Sequence, residues 1–142
     1  MALMTGMLLL LVAALTIAET EPRADAVLAA LDLSSFRNSV GPRHLQSPAT
    51  PETAGFTEAA FEDGHASRTS TNGDWSIGLR ILAVEGDDVR VCFTDMASKA
   101  SYFVQTSLTL HRSGNVYVAM RGTESDNCPE WRSRSDAAPP HS

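Results

Sequence analysis

Residues 75–84, WSIGLRILAV, put Trp75, Ile77, Leu79, Ile81 and Ala83 on one side of an extended chain and Ser76, Gly78 and Arg80 on the other. Successive side chains of a strand point to opposite faces, so a period of two this long marks a strand with one face in a core. The pattern recurs downstream. VRVCFT aligns Val89, Val91 and Phe93, and YFVQTSLTLHR aligns Tyr102, Val104, Leu108 and Leu110 with Thr106. VYVAMR then aligns Val116, Val118 and Met120. Between these runs lie NGD at 72–74, EGDD at 85–88, the loop DMASKAS at 95–101 and SGN at 113–115. Gly, Asn and Asp tolerate the positive φ that tight hairpin turns require. Runs this close together pair antiparallel, and residues 56–61 and 65–71 supply one or two further strands. The expected sheet is therefore an antiparallel meander of five or six strands.

The segments before it are of a different kind. ADAVLAALDL places Val27, Leu28 and Leu31 on a helical face, Pro22 suits a first turn, and Asp32 or Ser34 caps a second turn carrying Phe36 and Val40. Residues 19–40 thus read as a helical arm that packs through Leu28, Leu31 and Phe36. GPRHLQSPATPETAG, 41–55, holds three prolines and few apolar groups, and reads as an exposed connector. Residues 56–131 form the β domain, and the polar, proline-rich end at 132–142 reads as a disordered tail. The fold class is α+β. The sheet either curls into a barrel or is covered on one side by the arm, and the second arrangement is preferred.

The beginning of the chain sets the compartment. Within an apolar stretch from Leu3 to Ala18, a compact run from Met7 to Leu15 is followed by small residues at Thr16 and Ala18, the pattern of a signal peptide over 1–18 cleaved after Ala18. No Lys or Arg precedes the run, but it is shorter than the roughly 20 residues of a spanning helix. A periplasmic or secreted protein with no stable membrane insertion after cleavage is expected. In that oxidising setting Cys92 and Cys128, the two cysteines of the chain, should form a disulfide. Their separation of 36 positions is unlike the close spacing of a zinc or redox motif. Alternation sets Cys92 on the face opposite Val91 and Phe93, so the bond should pin the C-terminal segment across the second face of the sheet.

Chemistry-bearing residues are sparse. The net charge of −6 and the scattered basic residues give no phosphate-tracking stripe, so nucleic acid is not an expected partner. His44 lies in the connector and His141 in the tail, while His111 reads as a solvated strand residue. Glu62, Asp63 and His65 share one turn and are the weak candidates for a metal site or a small hydrolase, although a charged turn accounts for the same residues. EGDD lacks the spaced oxygen ligands of a calcium loop. No nucleophile elbow, HExxH or phosphate-binding glycine loop is present. Trp75 reads as core, and Trp131, in CPEW, reads as packing beside the disulfide or, if exposed, as a partner-binding anchor. No cofactor is implied. The expected function is a small exported binding module, inhibitor-like in type, for a protein or a small ligand. A metal-dependent hydrolase and a structural cell-envelope protein are the alternatives.

Overall fold

The computed structural model describes residues 20–36, 47 and 49–128. The expected signal peptide, Val40, His44, Trp131, His141 and the tail lie outside the described residues. Six strands follow one another in space as they do in sequence: β1 Phe56–Glu62, β2 His65–Ser70, β3 Trp75–Glu85, β4 Asp88–Ala97, β5 Phe103–Ser113 and β6 Val116–Ala119. Every neighbouring pair is antiparallel. The sheet curls into a half-barrel. Two-residue turns set most of its registers. Asp63 and Gly64 both have positive φ, 50° and 78°, which is the combination a type I′ hairpin needs.

Before the sheet, the described chain holds a six-residue helix, α1, Ala24–Ala29, and a three-residue 3-10 turn, Leu33–Ser35. The two are short and separate, and residues 19 and 37–40 of the expected arm lie outside the described residues. A helix of this length does not stand alone in water; its place is held by packing. Val27, Leu28, Leu31, Leu33 and Phe36 are buried with Leu79, Val91, Phe93, Leu108 and Leu110 in one core on the inner face of the sheet. Burying each of the larger side chains contributes about 1.5–3 kcal/mol. Asp32 organises the turn: its carboxylate accepts from the N–H of Ser34 at 3.0 Å and of Ala49 at 3.1 Å. The end of the connector is therefore tied down, with Ala49 and Pro51 buried rather than exposed.

Three details of the alternation differ from the sequence reading. Ala83 is exposed and Val84 packs on the core, because a bulge between Ile81 and Ala83 shifts the pairing with β4 and reverses the faces beyond it. On β6, Tyr117 and Ala119 face inward instead of Val116, Val118 and Met120. The two-residue turn pairs Ser113 with Val116 and hence Leu110 with Ala119, so turn geometry overrides side-chain hydrophobicity. Residues 95–97, expected in a loop, continue β4.

The two lateral edges of the sheet differ. Along β6 the N-terminal segment adds a parallel bridge, Leu31 to Tyr117. The Tyr117 N–H donates to the Ala30 carbonyl and its own carbonyl accepts from the Asp32 N–H, both at 2.9 Å. The Ala119 N–H donates to Ser35 Oγ at 2.9 Å. Along β1, no strand among the described residues pairs with the outer edge.

Candidate functional site

The outer face of the sheet carries the disulfide. Cys92 on β4 is bonded to Cys128, with Cα atoms 5.6 Å apart. Past β6, Ser125 pairs with Ser107 of β5 through two 2.8 Å hydrogen bonds, and Ser107 is itself opposite Cys92. The chain is thus led across β5 and fastened to β4. Arg90, also on this face, donates to Ser107 Oγ at 3.0 Å.

Four of the expected candidates can be placed. Glu62 and His65 face each other across the β1–β2 hairpin, and His65 in turn lies opposite Arg80 of β3. Both Glu62 and His65 are engaged in interactions. Asp63 sits in the exposed turn itself, so the three do not converge. Among the described residues no group of three or more His, Cys, Asp and Glu is arranged to hold a metal. The His65 imidazole lies over Gly78, where a Cβ would come within 2.7 Å of Nε2 and 2.5 Å of Thr94 Oγ1. Burial, and secondarily the Arg80 guanidinium, lower the His65 pKa. The ring is thus packed on the outer face, in surroundings that favour its neutral form. His111 is half-exposed and hydrogen-bonds through Nδ1 to Asp88 at 2.7 Å.

One polar group was missed. Asp95 is 1% exposed on the inner face, between Ile77 and Val104, and accepts a hydrogen bond from the Trp75 indole N–H. Burial raises its pKa, with the indole donor acting in the opposite direction. Tyr102 stacks on Trp75 at 5.3 Å. The signal was present in the sequence: Asp95 continues the alternation of Val91 and Phe93, so its inward position followed from parity once the strand was extended. Trp75 itself packs against the core.

A recess lies at the open edge. A groove of about 360 Å³ runs between α1 and the first two strands, lined among others by Ala26, Ala29, Ala59, Phe61, Ala66 and Arg68. Phe61 is 42% exposed, with the Arg23 guanidinium 4.6 Å above its ring and Asp25 binding the same guanidinium. Six of the seven β1 residues are exposed. A second hollow of about 280 Å³ lies where Thr20–Pro22 pass the β3–β4 turn and Arg112. Neither hollow contains a histidine or a cysteine. The first combines an apolar floor, nearby charge and a strand edge.

Comparison with known proteins returns no match: no family model fits the sequence, and no curated protein or solved structure is significantly similar to it.

Proposed function

We propose that the chain is an exported, non-enzymatic binding protein of the periplasm or extracellular space, engaging a protein or small ligand at the open side of its half-barrel. The observation that carries this reading is the asymmetry of the sheet edges. One edge is closed by the chain's own N-terminal segment, while the other borders an accessible apolar groove. Support for export comes from the Cys92–Cys128 bond, which fits an oxidising compartment. Among the described residues, no helix is long and apolar enough to cross a membrane. The apolar segment at 3–18 and the small residues before Glu19 are read as its export signal.

The test is an intact mass of the protein from its native host, denatured without reductant in the presence of a thiol alkylator. The expected species begins at Glu19 and takes up no alkylator. A species retaining 1–18 with two alkylated thiols refutes export. Binding is tested separately, by crosslinking in an envelope extract: a discrete partner, lost on substitution along β1, is expected.

A further inference from the structure

We infer that β1 takes up an extended, basic peptide segment as a seventh strand, with its alternate side chains seated in the groove beside α1. This deepens the binding function proposed above and rests on it. The argument begins with the backbone. Glu62 and His65 flank a two-residue turn and so form a hydrogen-bonded pair. Alternation then directs the N–H and C=O groups of Phe61 and Ala59 away from β2, to the open edge. Their side chains point inward, and both line the groove. A strand added here gains main-chain hydrogen bonds from two residues and places its own inward side chains over Ala59 and Phe61, which is the physics of strand addition. The bulge at Thr57 ends the regular pairing, so the docking length is the stretch 58–62.

Charge decides what kind of strand fits. Natural edges are commonly blunted by charged residues, Lys above all, by Pro, by bulges or by a covering element; beyond the bulge at Thr57, residues 58–62, EAAFE, contain no Lys or Pro, and their only charges are Glu58 and Glu62. They present Glu58 and Glu62 on the outer face, four positions apart, next to the exposed Asp63. A second copy of this chain is a poor occupant. The antiparallel register that uses both edge residues sets Ala59 opposite Phe61 of the other copy, and then Glu58 opposes Glu62 twice. Like charges directly opposite are destabilising, whereas Lys or Arg at those positions is favourable. The preferred ligand therefore reads basic–aliphatic–any–aliphatic–basic, with its aliphatic residues small enough for an alanine-lined groove.

The capped heptapeptide Thr-Arg-Val-Thr-Val-Arg-Thr matches this pattern in either direction, and its counterpart with Glu for both Arg is the control. Binding to the purified, disulfide-bonded protein is followed by amide chemical shifts and fluorescence anisotropy. Expected are saturable binding of the Arg peptide, largest shifts at Ala59 and Phe61, and affinity for the Glu peptide lower by about tenfold. Ala59→Pro, which removes an outward N–H and spares the ladder to β2, should abolish binding. Glu58→Lys, which leaves the backbone intact, should shrink or reverse the preference between the peptides. Equal affinity for the two peptides, unchanged binding to Ala59→Pro in a folded variant, or no saturation by either peptide up to about 5 mM, far weaker than specific recognition, overturns the inference. So does a dimer in sedimentation that Ala59→Pro dissolves, which would give the edge to a second copy. These measurements use purified protein and do not depend on where the chain resides. A negative result with correct processing in the mass test removes this site alone, and a reduced, unprocessed protein removes the exported function.

Discussion

At Gly78 the outer face is tightly closed, and Gly78→Ala measures how tightly. In an unobstructed strand, replacing an interior glycine by alanine stabilises by roughly 0.5–1 kcal/mol, because the unfolded chain loses freedom. Here the new Cβ would stand 2.5 Å from Thr94 Oγ1 and 2.7 and 2.9 Å from His65 Nε2 and Cε1. Optimal separations are about 3.5–4 Å, so all three contacts are repulsive. Forcing a methyl into a packed site costs about 1–3 kcal/mol, which exceeds the backbone gain. The net expectation is a loss of about 1–2 kcal/mol, or roughly 4–8 °C in Tm at about 4 °C per kcal/mol. The assay is urea unfolding followed by far-UV circular dichroism with the disulfide intact, for Gly78→Ala, His65→Ala and the double variant. If the ring is the obstacle, the cost of Gly78→Ala falls by about 1 kcal/mol in the His65→Ala background, a coupling within the range for residues in contact. A neutral or stabilising Gly78→Ala, or a cost unchanged by removing His65, refutes the packing of His65 over Gly78.

Buried Asp95 and half-buried His65 give opposite pH signatures. For Asp95 the raised pKa means that the folded state keeps a proton the unfolded chain has released, so this group lowers stability as pH rises from the ordinary carboxylate value toward its folded pKa. Asp95→Asn retains an acceptor for the Trp75 indole and should flatten that limb in unfolding measured from pH 4 to 7. For His65 the lowered pKa leaves the folded ring neutral where the unfolded chain has gained a proton, so stability falls as pH drops below 6.5. His65→Gln should remove that loss, and an unchanged profile would count against the lowered His65 pKa. Reduction of Cys92–Cys128, or the double substitution to alanine, should cost about 4 kcal/mol in the chain-entropy model, read as a lower urea midpoint. Leu31→Ala removes a fully buried side chain at the β6 edge and should cost about 2–5 kcal/mol; a cost below 1 kcal/mol would mean that the N-terminal segment is not part of the core.

Much of the sheet was legible because its signals were local. Trp75 to Ile81 alternate without interruption, and glycines at 64, 86 and 114 supply the positive φ the turns use. What failed required knowing the partner strand. The bulge after Ile81 adds a residue against β4, and nothing in ILAVE announces it. On β6 the more apolar set, Val116, Val118 and Met120, is the outward one, because register is inherited from Arg112 and Ser113 across the turn. Asp95 was placed in the loop 95–101, just past the end of the expected strand, and its partner, Trp75, lies twenty residues away. The weak metal candidates are kept apart for a different reason. Proximity in sequence placed Asp63 at the tip of a hairpin whose flanking residues, Glu62 and His65, point to one face of the sheet, so adjacency did not become convergence.

The same geometry explains why the groove could not be read from the sequence. Ala59 and Phe61 carry the right parity for the inner face, yet they remain accessible because α1 is only six residues long and its buried side chains, Ala24, Val27 and Leu28, are spent on the main core. A longer helix would cover β1 as Leu31 and Ser35 cover β6. The open edge is thus a consequence of where helical structure stops and where the extended bridge to Tyr117 begins. This makes the edge separable from stability: Leu31→Ala should weaken the fold, while Glu58→Lys, on an exposed residue, should change peptide preference with unfolding within about 0.5 kcal/mol of the original chain. If Glu58→Lys instead destabilised the fold substantially, β1 would be part of the structural core, and the case for an edge held open for a partner would fall.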